Sequence, residues 1–60
     1  MRTFGEALDK ATTRFIKTGK VQYIIYNHLK CVYRVSVSTK HDVNEELANL
    51  VSSHINTLQL

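Results

Sequence analysis

Two runs of β-branched and aromatic residues in the middle of the chain constrain the fold more than any other feature. Residues 21–26 read Val-Gln-Tyr-Ile-Ile-Tyr, and residues 31–38 read Cys-Val-Tyr-Arg-Val-Ser-Val-Ser. Such residues favour extended strands, and a connection of the length of residues 27–30 suits a tight antiparallel turn. The sequence therefore predicts a β-hairpin with strands near residues 20–27 and 31–38.

The segment before the hairpin has the pattern of an amphipathic helix. Thr3 and Glu6 have the spacing of a capping box, in which each side chain accepts a hydrogen bond from the other residue's backbone N–H. Gly19 is suited to close the helix, because glycine adopts the left-handed conformation without a steric penalty. Apolar residues recur at helical spacing between these ends: Phe4, Leu8, Ala11 and Phe15. We therefore predict a helix near residues 4–18.

The segment after the hairpin shows a longer helical pattern. Thr39 and Asp42 are alternative N-caps, and acidic residues follow where the positive end of a helix dipole would lie. The stripe that would face the core comprises Val43, Leu47, Leu50, Val51, His54 and Leu58. The sequence predicts a second helix near residues 42–58, with His54 at the margin of the core.

The simplest assembly is a single α+β domain over residues 1–60, of α-β-β-α order, with both helices packed on one face of an antiparallel β-hairpin. Alternation along the second strand predicts a buried face and an exposed face. The buried face carries Cys31, Tyr33, Val35 and Val37, joined by Val21, Tyr23 and Ile25 if the register places them opposite. The face that points away from the helices then carries Ile24, Tyr26, Val32 and Arg34.

Catalytic and metal-binding patterns are weak in this chain. His28 and Cys31 have the spacing of half a zinc site, but no second pair of ligands accompanies them. The one cysteine excludes an internal disulfide, and we expect Cys31 to be a small buried hydrophobe rather than a nucleophile. No nucleophile, base and oxyanion donors can be assembled, and no glycine-rich phosphate loop is present. We expect no enzymatic activity, cofactor or metal ion.

Charge is distributed unevenly along the chain. Residues 1–40 contain all eight Lys and Arg residues with two acids, whereas the last twenty residues contain three acids and no Lys or Arg. The predicted first helix carries a basic stripe at i, i+4 and i+7, with further cations close by in sequence. Together these candidate nucleic-acid contacts are Lys10, Arg14, Lys17, Lys20 and Lys30. A small basic DNA- or RNA-binding regulator is therefore one hypothesis for the function.

Protein binding is the leading hypothesis. The exposed hairpin face combines aliphatic, aromatic and arginine side chains, as the cores of protein interfaces do. Its candidate partner-binding residues are Ile24, Tyr26, Val32 and Arg34. A hairpin with two open edges also favours self-association, so we expect a homodimer. No apolar run approaches the roughly 18–20 residues that span a bilayer, and we expect a small non-catalytic cytoplasmic protein that acts as an accessory protein or inhibitor of a larger protein.

Overall fold

The structure is a computed structural model that describes residues 1–52. Helix α1 (Phe4–Thr18) is followed by three strands, β1 (Gln22–Asn27), β2 (Val32–Ser36) and β3 (Glu45–Val51). The strands form one antiparallel sheet in the order β2-β1-β3, so β1 is the central strand. The element order is therefore α-β-β-β, and α1 packs on one side of the sheet.

Helix α1 begins and ends as the sequence predicts. Oγ1 of Thr3 accepts a hydrogen bond from the Glu6 N–H at 3.1 Å, and Oε1 of Glu6 accepts one from the Thr3 N–H at 3.2 Å. At the other end Gly19 has φ of 73°, and its N–H donates to the Phe15 carbonyl at 2.7 Å. The capping box and the left-handed glycine thus define the helix bounds.

The predicted hairpin is also confirmed, but its turn differs in detail. Cys31 does not begin the second strand with a buried side chain. It is exposed and has φ of 57°, and its N–H donates to the Asn27 carbonyl at 2.7 Å. The connection needs a left-handed residue at its last position to bring the chain back antiparallel. Val37, also predicted to be buried, lies beyond the end of β2 and is exposed.

The predicted second helix is wrong, and with it the α-β-β-α architecture. Within that segment Glu45–Val51 forms β3, which pairs with the free edge of β1 from Asn27↔Glu45 to Gln22↔Val51. Hydrogen bonding to β1 satisfies an otherwise unpaired strand edge, and this outweighs the helix propensity of Glu, Leu and Ala. Val43, at the start of the predicted helix, lies in a turn before β3 and is 98% exposed. The predicted helix beyond residue 52, including His54 and Leu58, lies outside the described residues.

The main hydrophobic core lies between α1 and one side of the sheet, which we call the helix face. Ala7 and Ala11 of α1 are fully buried against Ile24 and Val51. Their small side chains let the helix approach the sheet closely, whereas Leu8 is partly exposed on the helix flank. Larger side chains close the margin of this core: Met1, Phe4, Phe15, Tyr33 and Val35.

Candidate interaction surface

The other side of the sheet, the outer face, has no covering helix or strand among residues 1–52. Ile25 is fully buried at its centre, flanked in the register by Arg34 and Leu47. Leu47 and its neighbour Leu50 are 40% and 44% exposed. The register and strand alternation assign to the outer face Tyr23, Ile25, Asn27, Val32, Arg34, Ser36, Glu45, Leu47 and Leu50.

One ion pair crosses the outer face over the central strand. Nε of Arg34 on β2 donates to Oε2 of Glu45 on β3 at 2.9 Å, and Nη2 donates to Oε1 at 3.0 Å. Nη2 also donates to the Lys40 carbonyl, and Oε1 accepts from the Asp42 N–H. The Glu45 side chain is only 6% exposed. The pair therefore fixes β3 and the connection before it against the hairpin.

The hydrogen bonds around Glu45 hold its carboxyl group in the ionised form. The bonds from Arg34, and next the backbone N–H of Asp42, lower the pKa of Glu45 from 4.5 to about 2. The same interaction raises the pKa of Arg34. Glu45 is thus a carboxylate whose main acceptor positions are already occupied, which leaves it poorly suited to act as a general base or a metal ligand.

The outer edge of β2 is partly occupied by the chain itself. The Tyr33 N–H donates to the Met1 carbonyl at 2.7 Å, and the Met1 ammonium donates to the Tyr33 carbonyl at 3.1 Å. Met1 therefore pairs with β2 near the start of that strand, as a short additional strand would. A strand from another molecule could extend the sheet at this edge only by displacing Met1 from Tyr33.

The outer edge of β3 is interrupted in a different way. The register shifts between Ile24 and Ile25 on the paired strand, which marks a β-bulge at Ala48. The Leu50 N–H donates to Oδ1 of Asn49 at 2.8 Å, and the Glu45 N–H donates to the Asp42 carbonyl at 3.0 Å. These local bonds and the bulge make this edge a poor template for another strand.

The predicted partner-binding residues are divided between the two faces. Val32 and Arg34 lie on the outer face, as predicted. Ile24 pairs with Val35 in the core beneath α1, and Tyr26 pairs with Tyr33 on the helix face, with ring centroids 4.8 Å apart. The predicted assignment of the first strand's side chains to the two faces is therefore wrong, because the register pairs Ile24, and not Ile25, with Val35, which is partly buried against the core.

Sequence reasoning missed the outer-face residues Tyr23, Leu47 and Leu50. The signal that could have found them is the run Ile24-Ile25, in which adjacent apolar residues face opposite sides of a strand. A strand that is buried on both faces is typically central in its sheet, and a central strand needs a partner at each edge. Both isoleucines are fully buried in the structure.

The candidate nucleic-acid residues do not form one continuous surface. Lys10, Arg14 and Lys17 lie on one exposed flank of α1, and they make no ion pair with any residue in 1–52. Lys20 follows the end of this helix. Lys30 lies in the β1–β2 turn, at the opposite end of β1 and about 20 Å away along the strand.

Polar and aromatic side chains also gather around the hairpin turn. Tyr26 packs edge-on against the His28 ring, and Nε2 of His28 pairs with Glu46 on β3. A hydrogen bond with Cys31 is the main cause of a raised Tyr26 pKa. Within the described part of the chain, no three His, Cys, Asp or Glu side chains are placed to hold a metal ion. This arrangement packs β3 against the hairpin.

Comparisons with protein-family models, with curated proteins and with solved structures gave no match for this chain. In residues 1–52, α1 is too short and too polar to cross a bilayer.

Proposed function

We propose that this protein is a non-catalytic protein-binding module whose binding surface is the outer face of its sheet. The observation that carries the proposal is the partial exposure of Leu47 and Leu50 on a sheet face that has no covering element among residues 1–52. A sheet usually buries one face or both, and an apolar face left in water is costly, at about 25 cal/mol per Å² of apolar area.

The chemistry of the outer face suits binding better than catalysis. Its charged side chains are Arg34 and Glu45, which are bonded to each other through two hydrogen bonds. The remaining side chains are apolar, hydroxyl or amide groups. Such a surface offers shape and apolar area for a partner, and it offers no free base or nucleophile to a substrate.

The module acts, in this proposal, as an accessory protein or inhibitor of a larger protein. A chain of 60 residues that presents one sheet face has little room to enclose a substrate, but it has enough surface to block or hold a partner. We also propose a cytoplasmic location, because the single cysteine cannot form the internal disulfides common in small secreted domains.

Charge substitutions on the outer face test this function. We expect Leu47→Glu and Leu50→Glu to weaken partner binding at least tenfold while the circular dichroism spectrum stays native. Val43→Glu is the matched control, because Val43 is 98% exposed and lies outside the strands. A partner captured from nuclease-treated lysate would be purified and titrated against all three variants. Equal affinities for wild type, Leu47→Glu and Leu50→Glu would exclude the outer face as the binding surface.

Nucleic-acid binding is a second candidate function. The observation that favours it is the exposed flank of α1, where Lys10, Arg14 and Lys17 have no acidic partner among the described residues. We expect replacement of all three by Gln to abolish a salt-sensitive mobility shift, since phosphate contacts release counterions. A wild-type shift that is absent at 50 mM salt, or that the triple variant keeps, would exclude this candidate.

A further inference from the structure

The outer edge of β2 shows which kind of chain it accepts. Met1 and Tyr33 exchange both of their backbone hydrogen bonds, at 2.7 Å and 3.1 Å. Two residues that bond each other in this reciprocal way form the hydrogen-bonded pair of an antiparallel ladder. Met1 therefore lies where one residue of a further strand would lie, and the edge has the geometry to accept an extended backbone.

The next position of this ladder is open. The backbone groups of alternate residues in a strand point to the same side, so the N–H and C=O of Val35 point outward as those of Tyr33 do. Val35 has no partner for these groups within residues 1–52. Strand β2 ends at Ser36. The edge thus offers two residue pairs, of which Met1 fills one.

The handedness of the chain decides which flank of α1 lies nearer this edge. Because the backbone groups of Tyr33 point away from β1, its pair partner Tyr26 directs its own groups toward β3. His28, two residues on, agrees, since its N–H donates to the Asn44 carbonyl just before β3. When an L residue of an upward strand has its side chain toward the viewer, its N–H and C=O point to the viewer's right. Seen from the helix face with β1 running upward, β3 is therefore on the right and β2 on the left.

The basic residues of α1 lie on the β2 side of the helix. In the same view α1 runs downward, from Phe4 beside Tyr33 to Gly19 before the start of β1. A right-handed helix seen from its start turns clockwise, at about 100° per residue. Ala11 is buried against the sheet, so residues about 60–120° anticlockwise of it lie toward β2. These residues, which we call the basic flank, are Lys10, Arg14 and Lys17.

Positive charge is concentrated beside this edge. No residue of the basic flank forms an ion pair within residues 1–52, and Arg2 adds a further cation next in sequence to Met1. Of the two acids of α1, Asp9 lies almost opposite the side of the helix that packs on the sheet. The other, Glu6, accepts hydrogen bonds from the N–H and the hydroxyl of Thr3. A ligand that lies along β2 therefore meets a net positive field.

We infer that the β2 edge binds an extended acidic segment of another protein, which replaces Met1 beside Tyr33 and continues the ladder to Val35. The pairing of Met1 indicates an extended peptide, and the unpaired cations indicate acidic side chains. A nucleic acid would satisfy the cations, but its backbone lacks the alternating N–H and C=O groups that Tyr33 and Val35 require. Met1 covers the edge while no partner is bound.

The ladder also fixes which residues of the partner carry the acids. The two residues of an antiparallel pair have their side chains on the same face of the sheet. Tyr33 and Val35 both pack on the helix face. The partner residues that bond to them therefore direct their own side chains toward the helix face, where the basic flank lies. Acidic residues should recur at alternate positions of the segment, and these same residues should supply the backbone bonds.

Titration of the full chain with a short peptide of alternating valine and glutamate, to about 2 mM, tests the inference by NMR. We expect the amide signals of Tyr33 and Val35 to shift. Hydrogen exchange at the Val35 amide should slow at least tenfold, because the amide gains an acceptor. N-methylation of the glutamates should abolish binding, whereas N-methylation of the valines should not, because only the glutamate amides face β2.

Charge reversal on the basic flank tests the acidic requirement. We expect Arg14→Glu to weaken peptide binding about fivefold, as repulsion replaces attraction. Lys40→Glu is the matched control, because it makes the same change of charge in the connection whose Lys40 carbonyl bonds to Arg34 on the outer face. It should change the affinity less than twofold. Should Arg14→Glu fail to fold, the two N-methylated peptides still test the edge of the wild-type chain.

The outcomes separate this inference from the proposed function. Absence of peptide binding, or equal binding of the two N-methylated peptides, overturns pairing at the β2 edge. An alternating valine–lysine peptide that binds as tightly overturns the acidic requirement. Shifts confined to Tyr23, Leu47 and Leu50 overturn the edge site but support the outer face, whereas a Leu47→Glu variant that keeps peptide binding supports a separate site. A single-stranded oligonucleotide that moves the same signals at lower concentration than the peptide overturns the inference in favour of nucleic acid.

Discussion

The two faces of the sheet differ although the same central strand supplies both. On the helix face Ile24 packs against Ala7 and Ala11, which close over it as one continuous core. On the outer face Ile25, the next residue, is equally buried, but Leu47 beside it is partly exposed. Ile24 thus belongs to the face that stabilises the fold, whereas Ile25, the next residue, belongs to the face that offers a surface for binding.

The helix face achieves close packing through small residues, and the outer face is held in shape by a charged pair. Ala7 and Ala11 bring the α1 backbone near the sheet, so any added volume there must be absorbed by strain. Arg34 and Glu45 instead connect the edge strands across β1, without a second apolar layer among the described residues. We therefore expect substitutions on the helix face to affect stability first, and those on the outer face to affect association first.

Truncation of matched side chains on the two faces should give the largest difference. We expect Ile24→Ala to lower the free energy of unfolding by about 2–5 kcal/mol, because it leaves a cavity beneath α1. Leu47→Ala should cost less than about 1 kcal/mol, since its side chain is 40% exposed. Urea unfolding of both variants at one low protein concentration measures this difference. Equal losses would show that the outer face is packed as tightly as the core.

Enlarging a small residue under the helix should have the next largest effect. Ala11→Leu adds three carbons at a fully buried position between α1 and the sheet, and we expect it to destabilise the fold by about 1–3 kcal/mol. Thr13→Leu is the control, because Thr13 is exposed on the same helix and should change stability by less than about 0.5 kcal/mol. Thermal unfolding distinguishes them. A tolerated Ala11→Leu would mean that α1 can move away from the sheet.

Acid should weaken the outer-face pair selectively. The folded chain lowers the pKa of Glu45 from 4.5 to about 2, so between these values the unfolded chain binds the proton and the folded chain does not. The stability that Glu45 contributes is therefore complete above about pH 5, and it is lost as the pH falls through this window. We expect Glu45→Gln to flatten the decline in stability between pH 5 and pH 2.

Asp9→Asn is the comparison for this pH experiment, because it removes an exposed acid of α1 that lies away from the Arg34–Glu45 pair. Stability would be measured by urea unfolding at half-unit pH steps for the wild type and both variants. An identical acid decline in the wild type and Glu45→Gln would contradict the role of the Arg34 hydrogen bonds in holding Glu45 ionised.

Local sequence signals predicted helix α1 and the hairpin because their information lies within a few residues. Thr3, Glu6 and Gly19 define the ends of α1 through bonds to near neighbours. Alternation along β2 likewise placed Tyr33 and Val35 on the buried side. Capping and alternation act over one or two turns of chain, so they can be inferred without knowledge of the rest of the fold.

Strand β3 could not be predicted in this way, because its conformation depends on a partner distant in sequence. Glu45–Val51 has good helix formers at helical spacing, and only pairing with β1 makes it a strand. The same pairing decides which side chains of β1 point to each face of the sheet. Ile24 therefore lies on the helix face and Ile25 on the outer face, the reverse of the prediction. A shift of one residue moves every side chain of a strand to the opposite face. For this reason the four predicted partner-binding residues lie on two different faces of the sheet.

The smallest expected effect concerns a polar side chain buried on the helix face. Gln22 is almost fully buried, its Nε2 donates to the Lys20 carbonyl at 3.0 Å, and its Oε1 has no hydrogen-bond partner among the described residues.

Losing the one hydrogen bond of Gln22 costs about 0.5–1.5 kcal/mol, whereas removing an unsatisfied buried acceptor gains about 1–3 kcal/mol. We therefore expect Gln22→Met, which keeps the length of the side chain, to leave stability unchanged or to raise it by up to about 1 kcal/mol. Gln22→Glu is the contrasting control, and it should lower stability relative to Gln22→Met because it places an unpaired carboxylate in the same site. Chemical denaturation of the two variants measures both effects. If Gln22→Met instead lost more than about 1 kcal/mol, the amide oxygen would have to accept a hydrogen bond, and the helix face would owe part of its stability to a polar contact as the outer face does.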